Sequence, residues 1–426
     1  MPAPALSPTS IDRTTVPWWR EPTREQWTSY LAAWSGWVLD GFDFTLFLLA
    51  MKDISAEFKV SYVATALSIT LTLLVRLAGG LGAGWVADRF GRKLPLMISI
   101  VWYALCDGAV FFAPTFAWVL VFRTLFGFGM GAEWTAGSAL AMERWPERTR
   151  GLASGVLQGS FGLGYILAGL AYGALAPAHG WRVLFLVAAA PALLVIPIRL
   201  WVRDERPAAA PGARAGTPAA ARLDRAVLRR VVWACLLYGA SFAVYYGLQG
   251  MWPTLLRTER GFTPATLSGP VILFNVGMMA GAVAIGTLAR RFGVVKVQVI
   301  PLLVLLALLP LYVGAVPGWL WLGALGAGMF GAGISGVTPY LFTALFPAEV
   351  RARSFGIVYH VGAFIGAYTP FLVAWLARDG RMSLSVALAG TVAVATLLTL
   401  AFLLLRPRDV LPAEVLGRSA SRSQAT

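Results

Sequence analysis

The sequence predicts an all-α polytopic membrane protein whose twelve transmembrane helices form two bundles of six. Three observations predict it. Of 426 residues, 58% are hydrophobic and only 13% charged, about half the charged share of an ordinary soluble domain. Apolar runs recur at the length of about 20 residues that a bilayer crossing needs. Basic residues alternate from loop to loop as they do when charge fixes orientation in a membrane. A soluble globular protein is excluded, and 45 Gly with 17 Trp suits close-packed membrane helices with aromatic belts. The net charge of +15 would suggest nucleic acid in a soluble protein. Here its placement matters more than its size, and no nucleic-acid partner is expected.

Residues 1–29 mix Pro, Ser, Thr and charge without a short apolar stretch and small-residue cleavage site, so they read as a cytoplasmic amino-terminal segment rather than a signal peptide. The apolar runs then place spans near 30–51, 61–86, 94–113, 115–140, 149–175 and 181–202, followed by 228–256, 264–289, 296–315, 317–342, 354–377 and 382–405. The first six form an amino-terminal bundle over 30–202 and the second six a carboxyl-terminal bundle over 228–405. Between them, 203–227 is rich in Ala, Pro, Gly and Arg and reads as a disordered cytoplasmic linker; 406–426 is a cytoplasmic tail. Pro253, Pro270, Pro339 and Pro370 are candidate kinks within the later spans. Cys106 and Cys235 both sit inside apolar runs and read as small apolar filler.

The basic residues test this count, because a missed or invented span would scramble their parity. With the amino terminus inside, the cytoplasmic segments hold 26 Lys or Arg and the outer loops 7, with Arg76 and Arg123 inside spans. Both termini are therefore expected in the cytoplasm of a cell whose plasma membrane, the bacterial inner membrane, holds the chain.

The halves echo one another. Gly84-Trp-Val-Ala-Asp88-Arg89-Phe90-Gly91-Arg92-Lys93 follows the second span, and Gly286-Thr-Leu-Ala-Arg290-Arg291-Phe292-Gly293 follows the eighth, 202 positions later. Pro146, Arg150 and Gly155 recur as Pro347, Arg351 and Gly356, each 201 positions on. One offset at two separate landmarks indicates a parallel duplication of a six-helix unit. The ten-residue motif and its degraded copy resemble the signature of the major facilitator superfamily. The resemblance implies that fold, with Gly84, Asp88, Arg89, Gly91, Arg92 and Lys93 acting as a gating latch. As local chemistry alone, the same residues could simply hold the loop inside. Pro17-Trp18, Gln26-Trp27, Ala33-Trp34, Asp40-Gly41-Phe42-Asp43-Phe44, Arg76 with Gly79-Gly80, Gly129-Met130, Glu133 and Gly180-Trp181-Arg182 are together similar to the sialate:proton symporter family, which includes sialic acid and lactate or pyruvate permeases. The aromatic acid:proton symporters share the Asp-Gly-Phe-Asp element. Arg123-x-x-x-Gly127-x-Gly129-x-Gly131 resembles the superfamily's fourth-helix motif, in which the Arg is tied to proton coupling, while the glycine spacing alone suits close helix approach.

Within the first six spans lie Asp40, Asp43, Arg76, Asp107, Arg123 and Glu133. An ionised group near a helix centre costs roughly 2.5–3.5 kcal/mol on insertion scales, so six oppose insertion by roughly 15–20 kcal/mol unless paired or hydrated. Away from their ends the last six spans carry none, only His360. At a rise of about 1.5 Å per residue, Asp40, Arg76 and Glu133 share a depth of about 15–18 Å from the inner edge. Four carboxyls against two guanidiniums leave negative charge unbalanced, and an anion occupying an arginine makes proton uptake at a neighbouring carboxyl easier. Asp43, Asp40 and Glu133 are the candidate proton carriers. Arg76 and Arg123 are the candidate partners of a substrate carboxylate, because guanidinium offers a bidentate fork and stays charged. Permanent Arg123–Asp107 or Arg76–Asp40 pairs that only fix packing are the alternative. Tyr245, Tyr246, Gln249, Asn275, Tyr359 and His360 are the polar groups of the second half that could bind substrate; each could equally be an interhelical hydrogen bond.

These readings predict a proton-coupled carrier of a small organic carboxylate, such as lactate, pyruvate or sialic acid, working by alternating access as a monomer in the lipid bilayer. An aromatic-acid or other metabolite symporter is the alternative, and a proton-driven drug exporter a more distant one. No phosphate-binding loop, metal-spaced His or Cys cluster, or nucleophile with a base occurs, and the chain has two His. It is expected not to be an enzyme and to need no cofactor beyond the proton.

Overall fold

The computed structural model describes residues 17–90, 93–142, 145–190, 193, 224–314, 316–346 and 348–406. In the first half they form α1 (Arg24–Phe58), α2 (Tyr62–Phe90), α3 (Lys93–Phe111), α4 (Phe116–Met142), α5 (Arg150–His179) and α6 (Arg182–Ala188). In the second half they form α7 (Arg225–Gly250), α8 (Trp252–Glu259), α9 (Pro264–Phe292), α10 (Lys296–Tyr312), α11 (Pro317–Phe330), α12 (Thr338–Leu345), α13 (Ala348–Gly366), α14 (Thr369–Leu376) and α15 (Leu384–Leu404). The linker expected at 203–227 lies outside the described residues except for its last four, as do the tail beyond Arg406 and most of the sixth span after Ala190.

The helix ends follow capping chemistry. Thr23 and Gln26 form a capping box at the start of α1, and Lys59 closes its other end in the left-handed conformation, its N–H bonded to Ser55. Thr263 and Thr266 cap α9 in the same reciprocal way. The α15 amino terminus is held from another segment: the Glu259 carboxylate accepts from the Leu384 and Ser385 N–H groups at 2.5 and 3.3 Å. Proline explains three interruptions. The seventh, tenth and eleventh crossings each break just before the second residue of a new helix, at Pro253, Pro339 and Pro370, where a missing N–H costs nothing. Pro270 stays inside α9 without breaking it.

Nine helices among the described residues are long and apolar enough to cross a membrane. Helix α10 is equally apolar but shorter, and α1 carries Asp40 and Asp43 at its centre. The described helices divide into two bundles, α1–α6 and α7–α15. The start of α1 packs on the start of α5, the Tyr30 hydroxyl donating to the Ala153 carbonyl, and the sequence puts this face on the side of the basic loops. This face is called basic below.

Glycines set the spacing within each bundle. A Cβ on Gly79 would collide with the Phe128 carbonyl, and one on Gly127 with the Thr72 carbonyl, so α2 and α4 touch backbone to backbone. The second half repeats this contact between α9 and α11, with Gly281 against the Met329 carbonyl and Gly328 against that of Phe274. Each residue stands 201 or 202 positions after its counterpart, so the duplication read from loop motifs is also a duplication of packing. Gly129 turns the opposite way, toward Ser99 and Tyr103 of α3, which accounts for the Gly-x-Gly-x-Gly rhythm: α4 is held between two helices. Gly79→Ala is therefore expected to destabilise the bundle by about 1–3 kcal/mol through overpacking. Gly82→Ala, where the nearest contact would be the Phe128 ring at 3.8 Å, should be neutral. Thermal unfolding of the two variants in detergent makes the comparison.

The bundles meet along two seams. Helices α5 and α9 run together over most of their length, from Gly151 against Gly286 to Gly173 against Pro264 and Ser268. Helix α2 meets α13 and α14, where Thr70 Oγ1 bonds the Ala367 carbonyl at 3.0 Å and Gly80 leaves the space that the His360 ring fills.

Candidate functional site

Between the bundles lies a cavity walled from the first half by Trp37, Phe44, Arg76, Met130, Gln158 and Phe161 and from the second by residues that include Phe242, Tyr245, Tyr246 and Tyr359. Arg76 is the charged residue in this wall. It is 2% exposed, and α2 can bring it there because Gly79 and Gly80, one turn on, let α4 and α13 close on either side. One guanidinium nitrogen donates to the Tyr246 hydroxyl at 3.5 Å, while Nε and Nη2 have no hydrogen-bond partner. The guanidinium lies 5.3 Å from the Tyr359 ring centre and 5.9 Å from that of Trp37. A buried cation with two unsatisfied donors fits a carboxylate, which would accept from both and neutralise the charge.

Behind this wall sit the carboxyls. Asp40, Asp43 and Asp107 are 0% exposed and Glu133 1%. Neither oxygen of Asp40 or Asp43 has a hydrogen-bond partner, nor has Glu133 Oε2. Asp40 lies within electrostatic range of Arg76, Arg123 and Asp107; Asp43 of Asp107, Asp40, Arg123 and Glu133; and Glu133 of Asp40 and Arg76. The six buried charges among the described residues of the first half thus form one electrostatic group. Gly36 makes room in it, since a Cβ there would stand 2.5 Å from Glu133 Oε1. Arg123 is spoken for: its Nη1 meets Asp107 Oδ1 at 2.6 Å, and the Phe126 and Phe47 rings cover its guanidinium at 4.0 and 5.0 Å.

The other candidates are dispersed. Tyr245 lines the cavity beside Phe161. Gln249 is buried beyond it with its amide on Met278 Sδ at 3.7 Å, and Asn275 donates to Val271 one turn back on its own helix. His360 fills the notch at Gly80 on the seam between α2 and α13. Of the gating motif, Gly91 and Arg92 lie outside the described residues, as do the side-chain surroundings of Gly84, Asp88 and Arg89; Lys93 opens α3.

Sequence reasoning passed over Trp37, Phe161, Phe242 and Gln158 of the cavity wall. The signal was present in the cluster Phe242, Tyr245 and Tyr246, whose spacing puts aromatic rings on one face of α7. It also passed over a contact on the face opposite the basic one. There Arg257 of α8 holds Asp53 of α1 in a bidentate pair at 2.8 and 3.0 Å. The Tyr172 hydroxyl of α5 donates to Asp53 at 2.5 Å and accepts from Arg257 at 2.6 Å, and Lys52 Nζ donates to the Arg257 carbonyl at 3.0 Å. This clamp joins the two bundles.

Two duplicated helical bundles enclosing a buried, cation-bearing crevice define a membrane carrier. Residues 33–295 match the Major Facilitator Superfamily, and the chain belongs to it. Among curated relatives, the "Probable 4-methylmuconolactone transporter" of Cupriavidus pinatubonensis (strain JMP 134 / LMG 1197) is 31% identical over 82% of this chain and 83% of its own. The "Sialic acid transporter NanX" of Escherichia coli (strain K12) is 28% identical over 90% of this chain and 95% of its own. Among solved structures, a D-xylose-proton symporter superposes with a TM-score of 0.72 over 91% of this chain and 98% of that one, at 16% identity. The chain is accordingly a multi-pass membrane transporter and not an enzyme.

Proposed function

We propose that the protein is a secondary active carrier that takes up a small organic carboxylate together with a proton across a bacterial inner membrane by alternating access. The observation that carries this reading is Arg76, a buried guanidinium in the cavity wall with Nε and Nη2 unsatisfied, backed by carboxyls that lack hydrogen-bond partners. The arginine receives the anion. Its positive charge then no longer favours ionised Asp40 and Glu133, so a proton binds more readily among Asp43, Asp40 and Glu133. Neither ligand lowers the cost of burial fully without the other, which is what couples them. One relative named as a sialic acid transporter and another named as a probable 4-methylmuconolactone transporter support a small organic acid as cargo.

Uptake into proteoliposomes with an imposed pH gradient tests this, using radiolabelled lactate, pyruvate, sialic acid and benzoate in parallel. Accumulation of at least one acid, driven by the gradient and collapsed by a protonophore, is expected; carriage that ignores the gradient would sink the symport reading.

With the basic face inside, the Asp53–Arg257–Tyr172 clamp closes the outer mouth. Removing one partner of a partly buried ion pair strands the other charge, and the resulting loss belongs to the outward-closed form alone. Arg257→Gln is expected to raise labelling of a Ser241→Cys reporter in the cavity by a membrane-impermeant maleimide added outside. Unchanged labelling would show that the clamp does not hold the mouth shut.

A further inference from the structure

Tyr103 of α3 is a buried polar group that neither the cavity wall nor an ion pair uses. It is 0% exposed, and its hydroxyl has no hydrogen-bond partner. A phenylalanine would fill the same space without burying an unpaired O–H, which folding alone disfavours. The ring is fixed on two sides. Phe126 meets it edge-on with centroids 5.8 Å apart, and a Cβ on Gly129 would stand 3.2 Å from the Tyr103 Cβ. Phe126 is also a ring that covers the Arg123 guanidinium. Tyr103 shares a face of α3 with Asp107, one turn on, and Gly129 shares a face of α4 with Glu133. The phenol thus enters the buried carboxyls from α3, of which no described residue borders the cavity. It lies within electrostatic range of Glu133, Asp43, Asp40 and Asp107, Glu133 most strongly. Arg76 and Arg123 are the cations of the same group, and Arg123 is held by Asp107.

A hydroxyl so placed responds to the protonation of its neighbours. Toward an ionised carboxylate it donates its O–H, and toward a protonated carboxyl it accepts. The first bond is charge-assisted and about twice as strong, so the phenol favours the ionised form, against the preference of crowded, buried carboxyls for keeping a proton. Glu133 Oε2 is open to it, having no hydrogen-bond partner, as are both oxygens of Asp43. We infer that Tyr103 makes the bound proton releasable: its hydroxyl turns to donate to the carboxylate left behind, Glu133 foremost, as the proton departs. This rests on the proton-coupling reading above and adds to it a residue outside both the titrating carboxyls and the anion site.

Infrared titration of the full-length protein in detergent reads this without a substrate, through the C=O stretch that a protonated carboxyl shows and a carboxylate lacks. A buried carboxyl band lost in Glu133→Gln or Asp43→Asn identifies the proton site. Tyr103→Phe, which keeps the ring against Phe126 and Gly129, is expected to move the pH midpoint of that band up by about one unit, a tenfold tighter hold on the proton. Replacing Tyr103 with 3-fluorotyrosine, a stronger donor of nearly the same shape, should move it down. A tyrosine that only fills space would move neither. Should the phenylalanine variant not fold, the fluorotyrosine protein decides alone. An unchanged or lowered midpoint in folded Tyr103→Phe would overturn the inference and leave proton coupling standing. A wild-type protein with no titrating band of this kind would take the proton-coupled reading down, and this inference with it.

Discussion

Asp43→Asn is expected to abolish accumulation of substrate driven by a pH gradient while leaving exchange of internal for external substrate intact. The side chain is fully buried, both of its oxygens lack hydrogen-bond partners, and the carboxyls of Asp107, Asp40 and Glu133 surround it together with Arg123. A carboxyl among carboxyls is held ionised only at a cost, so it is suited to take up and release a proton. Asparagine keeps its shape and can do neither. Parallel measurements of gradient-driven uptake and of counterflow in proteoliposomes separate the two activities, and accumulation at the wild-type level would clear Asp43 of the role. Asp107→Asn provides the contrast. Asp107 is bonded to Arg123 at 2.6 Å in a site sealed by two rings, so its loss strands a buried guanidinium and should cost about 3–5 kcal/mol of stability. That variant is expected to unfold at lower temperature rather than merely uncouple.

Arg76→Lys should weaken binding of the substrate anion at least about tenfold, some 1.4 kcal/mol, although the charge is kept. Lysine offers a point charge in place of a planar fork, cannot present two parallel N–H groups to a carboxylate, and stacks less well between Trp37 and Tyr359. Arg76→Gln, which removes the charge as well, should leave no measurable binding. Equilibrium titration with whichever acid the proteoliposome assay shows to be carried reads the affinities, and size-exclusion behaviour with thermal unfolding shows whether the variants remain folded. A folded Arg76→Lys protein of wild-type affinity would place the anion elsewhere.

Most of the framework was legible in the residues. Twelve spans could be counted because apolar length and loop charge are independent signals that agree, and the duplication could be seen because motifs at Gly84 and Gly286 survive on exposed loops. The depth shared by Asp40, Arg76 and Glu133 followed from helical rise. Which way each side chain faces did not follow, because rotation of a helix about its axis is set by its neighbours rather than by its own sequence. Arg76 and Arg123 therefore looked equivalent, whereas one borders the cavity and the other is closed off by Asp107, Phe47 and Phe126. The aromatic wall of the cavity was hidden for a related reason. In a chain with 24 Phe, 12 Tyr and 17 Trp, nothing in composition separates the rings of a ligand cavity from those facing lipid. The clamp was missed because Asp53 and Arg257 sit at span ends, where charge is expected anyway.

The lopsided distribution of fixed charge also bears on how the carrier responds to voltage. A membrane potential does work of about 2.3 kcal/mol per elementary charge for each 100 mV crossed. The second bundle carries no acidic or basic residue deep in its spans apart from His360, so when it swings against the first it moves almost no charge through the field. On the proposed mechanism the charge that senses the potential is therefore that of the first bundle's buried groups together with the proton and the anion they bind, and the voltage dependence of transport should change with substitutions there rather than in the second bundle.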